Sequence, residues 1–241
     1  MSGVASYQAF PLPRSAGRAD ARVDGYPAEY AGLPSPVRLP WGLKPLGSAQ
    51  TGIDRLPDGR DRYWIRHEVL KGVTPRMLAW WFTHLEGDVL VEGRRIDRYR
   101  LWHPYDHVHA GYARRRADGS VGPGAVIRLR EVLGGNPRFA VDIRTVVVKI
   151  DEEGFIHEPV FHGIRGLARM EYAFRRVPGG TLYENCLLLG REGTPWLRPL
   201  LRAFAFPPGK GEAWLRHNVE EVGMLENFLP ALYRAETGLE E

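Results

Sequence analysis

The chain has a single cysteine, Cys186, among its 241 residues. No internal disulfide can brace it, and no thiolate cluster can hold a metal. Long apolar runs are missing too: none approaches the ~18–20 residues that a membrane-crossing helix needs, which excludes a helical membrane protein. The first residues, Met1-Ser2-Gly3-Val4-Ala5-Ser6-Tyr7, lack a basic stretch leading into an apolar one, so the expectation is a cytoplasmic protein without a secretory signal. There is no long basic block. The 33 Lys and Arg are interspersed with 29 Asp and Glu, and the run Arg114-Arg115-Arg116 is answered by Asp118. A net charge of +4 spread in this way gives no reason to expect a nucleic-acid partner. Nucleophile-elbow, phosphate-loop and dinucleotide-binding glycine signatures are absent as well.

What is present is organised in two parts. Residues 1–60 are rich in Pro and Gly and show no sustained periodicity, which predicts an extended arm. Such an arm either closes a homodimer or lids a cavity. Residues 61–241 read as one domain. Tyr63–Leu70 has strand composition, and Thr74 followed by Pro75 opens a helix whose stripe is Met77, Leu78, Trp81 and Leu85. Strands follow at Ala125–Leu133, Arg138–Ile150, Phe155–His162, Ala168–Arg176 and Leu182–Leu189, with short glycine-bearing links that suit an antiparallel meander. Phe139, Val141, Ile143, Thr145 and Val147 alternate onto one face. After a short helical piece near Pro195–Ala203, a helix from about Glu212 to Arg234 carries one apolar face. This order predicts an α+β helix-grip (START-like) fold, in which the last helix lies over the concave side of a curved sheet and encloses a cavity.

Several polar residues fall on faces that should be apolar. His217 and Glu221, one turn apart, lie within the arc of Trp214, Leu225, Phe228 and Leu232. They read as half of a metal site or as a hydrogen-bonded pair at the core edge. Three histidines and an aspartate crowd into His103-Pro104-Tyr105-Asp106-His107-Val108-His109, where at least one histidine suits a catalytic or metal role. His107 and His109 share strand parity, so a structural pair is the competing reading. Glu131 alternates with Ile127, Leu129 and Leu133, which favours an inward carboxylate over one at a solvent-facing strand end. His157 and Tyr172 also sit on apolar strand faces, as catalytic groups or as satisfied core residues.

At Trp80-Trp81-Phe82, at Leu101-Trp102-His103-Pro104 with Asp106-His107, and at His217-Asn218-Val219-Glu220-Glu221, the chain resembles the 2,4-diacetylphloroglucinol hydrolase family, which includes phloretin hydrolase. The similarity runs from about Leu56 to Tyr233, with the three motifs in order. It implies a helix-grip fold and a zinc-dependent hydrolase that cuts the carbon–carbon bond between an acyl group and a phenolic ring, acting on a small aromatic ketone. It implies a metal held by two histidines and two glutamates: His103, Glu131, His217 and Glu221. Asp106 then falls near the first ligand as a polar substrate contact, and His107, His157 and Tyr172 are candidates for acid–base and phenol-binding roles. The competing class is a helix-grip carrier of apolar aromatic ligands without metal.

Overall fold

A computed structural model describes residues 35–239. The sheet begins earlier than the predicted arm allows: β1 (Gln50–Arg55) pairs antiparallel with β2 (Asp61–Arg66). The strand is hard to read in sequence because it is an edge, with its apolar signal reduced to Ile53 and its centre occupied by Gly52. That glycine lets the indole of Trp64 lie against the backbone, since a Cβ there would stand 2.6 Å from the ring. The described end of the predicted arm, residues 50–60, is therefore part of the domain, and residues 1–34 lie outside the described residues.

β3 (Leu70–Lys71) leads to α1 (Pro75–Phe82), where the Thr74 hydroxyl accepts the Met77 N–H at 3.3 Å, as the Thr-Pro entry predicts. A small hairpin, β4 (Asp88–Val91) with β5 (Arg94–Asp97), and the five-residue α2 (Arg98–Trp102) precede β6 (His107–Arg114). These pieces are shorter than any periodicity window, so no pattern in the residues announces them. The predicted meander follows as β7 (Val126–Val132), β8 (Ala140–Asp151), β9 (Gly154–Val160), β10 (Ala168–Val177) and β11 (Gly180–Leu189). Nine strands form one antiparallel sheet in the order β1-β2-β11-β10-β9-β8-β7-β6, with β3 attached to β11.

After α3 (Arg198–Phe204), the long α4 (Lys210–Thr237) crosses the inner face of the sheet and packs on α1, α2 and β2. It approaches β2 closely at Gly211, where a Cβ would lie 2.4 Å from the Tyr63 ring. It ends at Gly238, which adopts φ 71° and returns its N–H to the Arg234 carbonyl. Trp81, Leu78, Val222, Leu225 and Leu229 are fully buried, and Trp81 of α1 packs on Phe228 of α4. The fold is thus the expected helix-grip arrangement. A cavity of about 600 Å³ remains between α4 and strands β7 to β11. Among the described residues, no helix is long and apolar enough to cross a membrane.

Candidate metal centre

The short helix α2 positions the first histidine. The Asp97 carboxylate accepts the Arg100 N–H at 3.1 Å and starts the helix, which leaves the Tyr99 carbonyl pointing at the start of β6. His107 Nδ1 donates to that carbonyl at 2.6 Å, because a carbonyl can only accept. The proton is thereby fixed on Nδ1, and the Nε2 lone pair is left bare. The ring lies parallel on the Tyr99 ring, centroids 3.6 Å apart, and is buried. Burial, reinforced by the charges of His217 and His103, holds its pKa well below that of free histidine, so it is neutral. Its Nε2 is buried, makes no hydrogen bond among the described residues, and lies 3.3 Å from Glu221 Oε2.

His217 is set in the same way from the other side. Its Nδ1 is 2.9 Å from Asp106 Oδ2. Asp106 is completely buried and also accepts the N–H groups of Gly134 and Gly135 at 2.9 and 3.0 Å. With both oxygens engaged as acceptors, it takes the Nδ1 proton of His217 and turns Nε2 towards Glu221 and Glu131, at 3.7 and 4.0 Å. Tyr99 donates its hydroxyl to the Glu131 carboxylate, which leaves the other oxygen facing His217. The bare Nε2 of His107, the Nε2 of His217 and two carboxylates therefore converge, each oriented from behind by a hydrogen bond or a helix turn.

The electrostatics record the same convergence. Burial raises the Glu221 carboxyl to about 8, a shift limited by His217 and increased by Glu131 and Asp106. Burial lowers His217, but the nearby Glu221, Asp106 and Glu131 outweigh it and raise the imidazole to about 10. Carboxylates packed this closely favour a cation at their centre.

Two groups of buried side chains offer ligand atoms within 4.8 Å of one another: His107 with His217 and Glu221, and His103 with Asp106 and His217. They differ in what their atoms already do. His103 Nδ1 accepts the Asp106 N–H at 3.1 Å, and its Nε2 faces Glu220 Oε2 at 3.2 Å. The reading from the Trp102-His103-Pro104 segment made His103 a ligand and His107 a catalytic group. In the structure it is His107 whose unengaged nitrogen faces Glu221, and His103 braces the turn behind it. Asp106, expected near the substrate, does not line the cavity and instead holds His217. The parity of His107 and His109 is broken by a β-bulge between them, so His107 is buried and His109 exposed.

Glu131, His217 and Glu221 open onto the cavity, whose other walls include Leu129, Ile143, Met170 and Trp214. The inward register of Glu131 is the one found. His157 and Tyr172 line the same cavity. His157 Nδ1 lies 2.5 Å from the Thr145 hydroxyl, and its Nε2 is 3.4 Å from Tyr172 Oη. Burial pushes His157 down to about 3 and Tyr172 well above its ordinary value, so both are neutral near pH 7. Sequence reasoning missed Tyr99 and Thr145. Tyr99 sits in an eight-residue spacing to His107 that no periodicity exposes, and Thr145 looked like an ordinary member of an apolar strand face.

Residues 44–127 match the model of the DAPG hydrolase PhiG domain. The matched span takes in Trp80-Trp81-Phe82 and Leu101 to His107, and it supports the resemblance drawn from those motifs and a hydrolase of the phloroglucinol-ketone class. No curated protein matches the chain. Among solved structures, a Rhodobacter sphaeroides protein is 14% identical with TM-score 0.47, over 76% of this chain and 99% of its own. Protein Ms6760 from Mycobacterium smegmatis is 10% identical with TM-score 0.44, over 73% of this chain and 96% of its own. The di-domain ARO/CYC StfQ from the steffimycin biosynthetic pathway is 12% identical with TM-score 0.43, over 75% of this chain and 53% of its own.

Proposed function

We propose that the protein is a zinc-dependent hydrolase that cleaves the carbon–carbon bond between an acyl group and a phenolic ring, with His107, His217, Glu131 and Glu221 as the metal ligands. The observation that carries this is the buried, bare Nε2 of His107 facing Glu221 beside the similarly oriented Nε2 of His217. Two imidazoles with two carboxylates suit zinc. Both histidines have their remote nitrogens bound, one by a backbone carbonyl and the other by a carboxylate, the usual arrangement behind ligating imidazoles. Bound there, zinc would lower the pKa of a coordinated water towards ~7 and polarise a carbonyl oxygen.

The chain's own residues supply the rest. The apolar wall of the cavity accepts the ring and excludes bulk water. His157 and Tyr172, both neutral, present hydrogen-bonding groups to ring hydroxyls and favour the keto tautomer, in which the scissile bond belongs to a β-diketone. Addition of water to the acyl carbonyl then releases a carboxylic acid, and the ring departs as an enolate that takes one proton at carbon. His157 is held neutral by burial, so it acts by donating and accepting a hydrogen bond within the Thr145–His157–Tyr172 chain and does not store a proton as imidazolium.

Purified protein is expected to hold about one zinc per chain and to hydrolyse an acylphloroglucinol, with activity lost on chelation and restored by zinc. Absence of both zinc and turnover would favour the carrier reading. Asp106→Asn is expected to lower zinc affinity by roughly 10–100-fold. An amide has one acceptor oxygen, whereas the carboxylate serves three donors: the two glycine N–H groups and His217 Nδ1. Zinc titration against a competing chelator checks this, and unchanged affinity would remove Asp106 from the positioning role.

A further inference from the structure

We infer that Lys210 makes this cavity selective for aromatic ketones that carry a carboxylate, and this rests on the hydrolase reading above. Lys210 lines the cavity and is the one lysine or arginine among the described residues that does so. It forms no ion pair with a carboxylate among the described residues. Its Nζ donates to the Ala140 carbonyl at 3.4 Å and stands 6.0 Å from the Phe206 ring. An ammonium has three donors, so two remain for a ligand. Burial beside Phe206 and the strand pulls its pKa down, and the charge of Glu131 offsets this only in part. The partner it has is a neutral carbonyl, and an anionic group entering the cavity would give this half-buried ammonium a stronger, charge-assisted one.

The placement also sets a length. Lys210 precedes His217 by seven residues on α4, which is two turns on the same face, or about 10 Å. Ala140, whose carbonyl accepts from Nζ, pairs with Val132, the neighbour of Glu131, so Lys210 and Glu131 lie on the same stretch of the cavity wall. A carboxylate within ~10 Å of the scissile carbonyl, on the end of the acyl chain or on the ring, reaches it.

The test compares wild-type and Lys210→Met protein, both zinc-loaded. Calorimetric titration with 3-phenylpropionate and its neutral amide reads binding without turnover. The wild type is expected to prefer the carboxylate by roughly 10–100-fold, and Lys210→Met to lose that preference, with Lys210→Arg recovering part of it. Turnover of two carboxylated acylphenols, one acid on the chain and one on the ring, against their methyl esters tells which position is used. A preference that persists in Lys210→Met, or none in the wild type, overturns the inference. Because calorimetry needs no catalysis, failure of the hydrolase reading shows separately, as absent turnover of every ketone.

Discussion

His107→Ala is expected to leave purified protein with substoichiometric zinc and to lower acylphenol turnover by roughly 10³-fold or more, because a four-ligand site loses a neutral nitrogen that nothing nearby replaces. His103→Gln is expected to keep its zinc. The two histidines are both fully or almost fully buried and only four residues apart, so burial does not separate them. Hydrogen bonding does. His107 spends Nδ1 on the Tyr99 carbonyl and aims Nε2 at Glu221, whereas His103 uses Nδ1 to accept the Asp106 N–H and turns Nε2 to Glu220. Loss of that brace costs about 1–3 kcal/mol of stability through an unsatisfied buried group. Metal analysis together with thermal unfolding of both variants checks the pair. Zinc retained in His107→Ala and lost in His103→Gln would reverse the assignment and point to the cluster of His103, Asp106 and His217.

The half of the candidate centre carried by α4 stood out in the sequence as polar residues on an apolar face, and the half carried by α2 and β6 was ambiguous. A 28-residue helix repeats its pattern for many turns, so two polar residues inside the apolar arc of Trp214, Leu225 and Phe228 stand out. Glu131 was readable for a similar reason, since β7 and β8 alternate over enough residues to fix their inner face. The segment around residues 98–110 obeys no single period. It passes from a five-residue helix through a turn into a strand that bulges at once, and each change resets which side chains face inward. His103 and His107 differ in which ring nitrogen the backbone occupies, and spacing carries no such information. Edge strand β1 was missed because Gly52 and the exposed Ile53 weaken an already short signal.

Trp81→Ala is expected to destabilise the protein by about 3–5 kcal/mol, a large share of the ~5–15 kcal/mol of a typical domain. Trp81 is fully buried, with its ring edge-on to Phe228 of α4 at 5.1 Å and to Trp102 of α2 at 5.9 Å. Its indole N–H makes no hydrogen bond among the described residues, so its contribution is volume and contact. Trp81→Phe keeps most of that contact and is expected to cost below ~2 kcal/mol. The effect should extend to the metal. Trp102 packs edge-on to His107 at 5.3 Å, and the Tyr99 carbonyl that fixes the His107 tautomer belongs to the same short helix. Trp81→Ala lets α2 settle into the void, misaligns that carbonyl and weakens zinc binding, although Trp81 touches no ligand. Denaturant unfolding of the zinc-loaded and chelator-treated forms separates the two consequences. The gap in stability between those forms measures the binding contribution, and it should be smaller in Trp81→Ala than in the wild type. An unchanged gap would show that α2 holds its position without this packing.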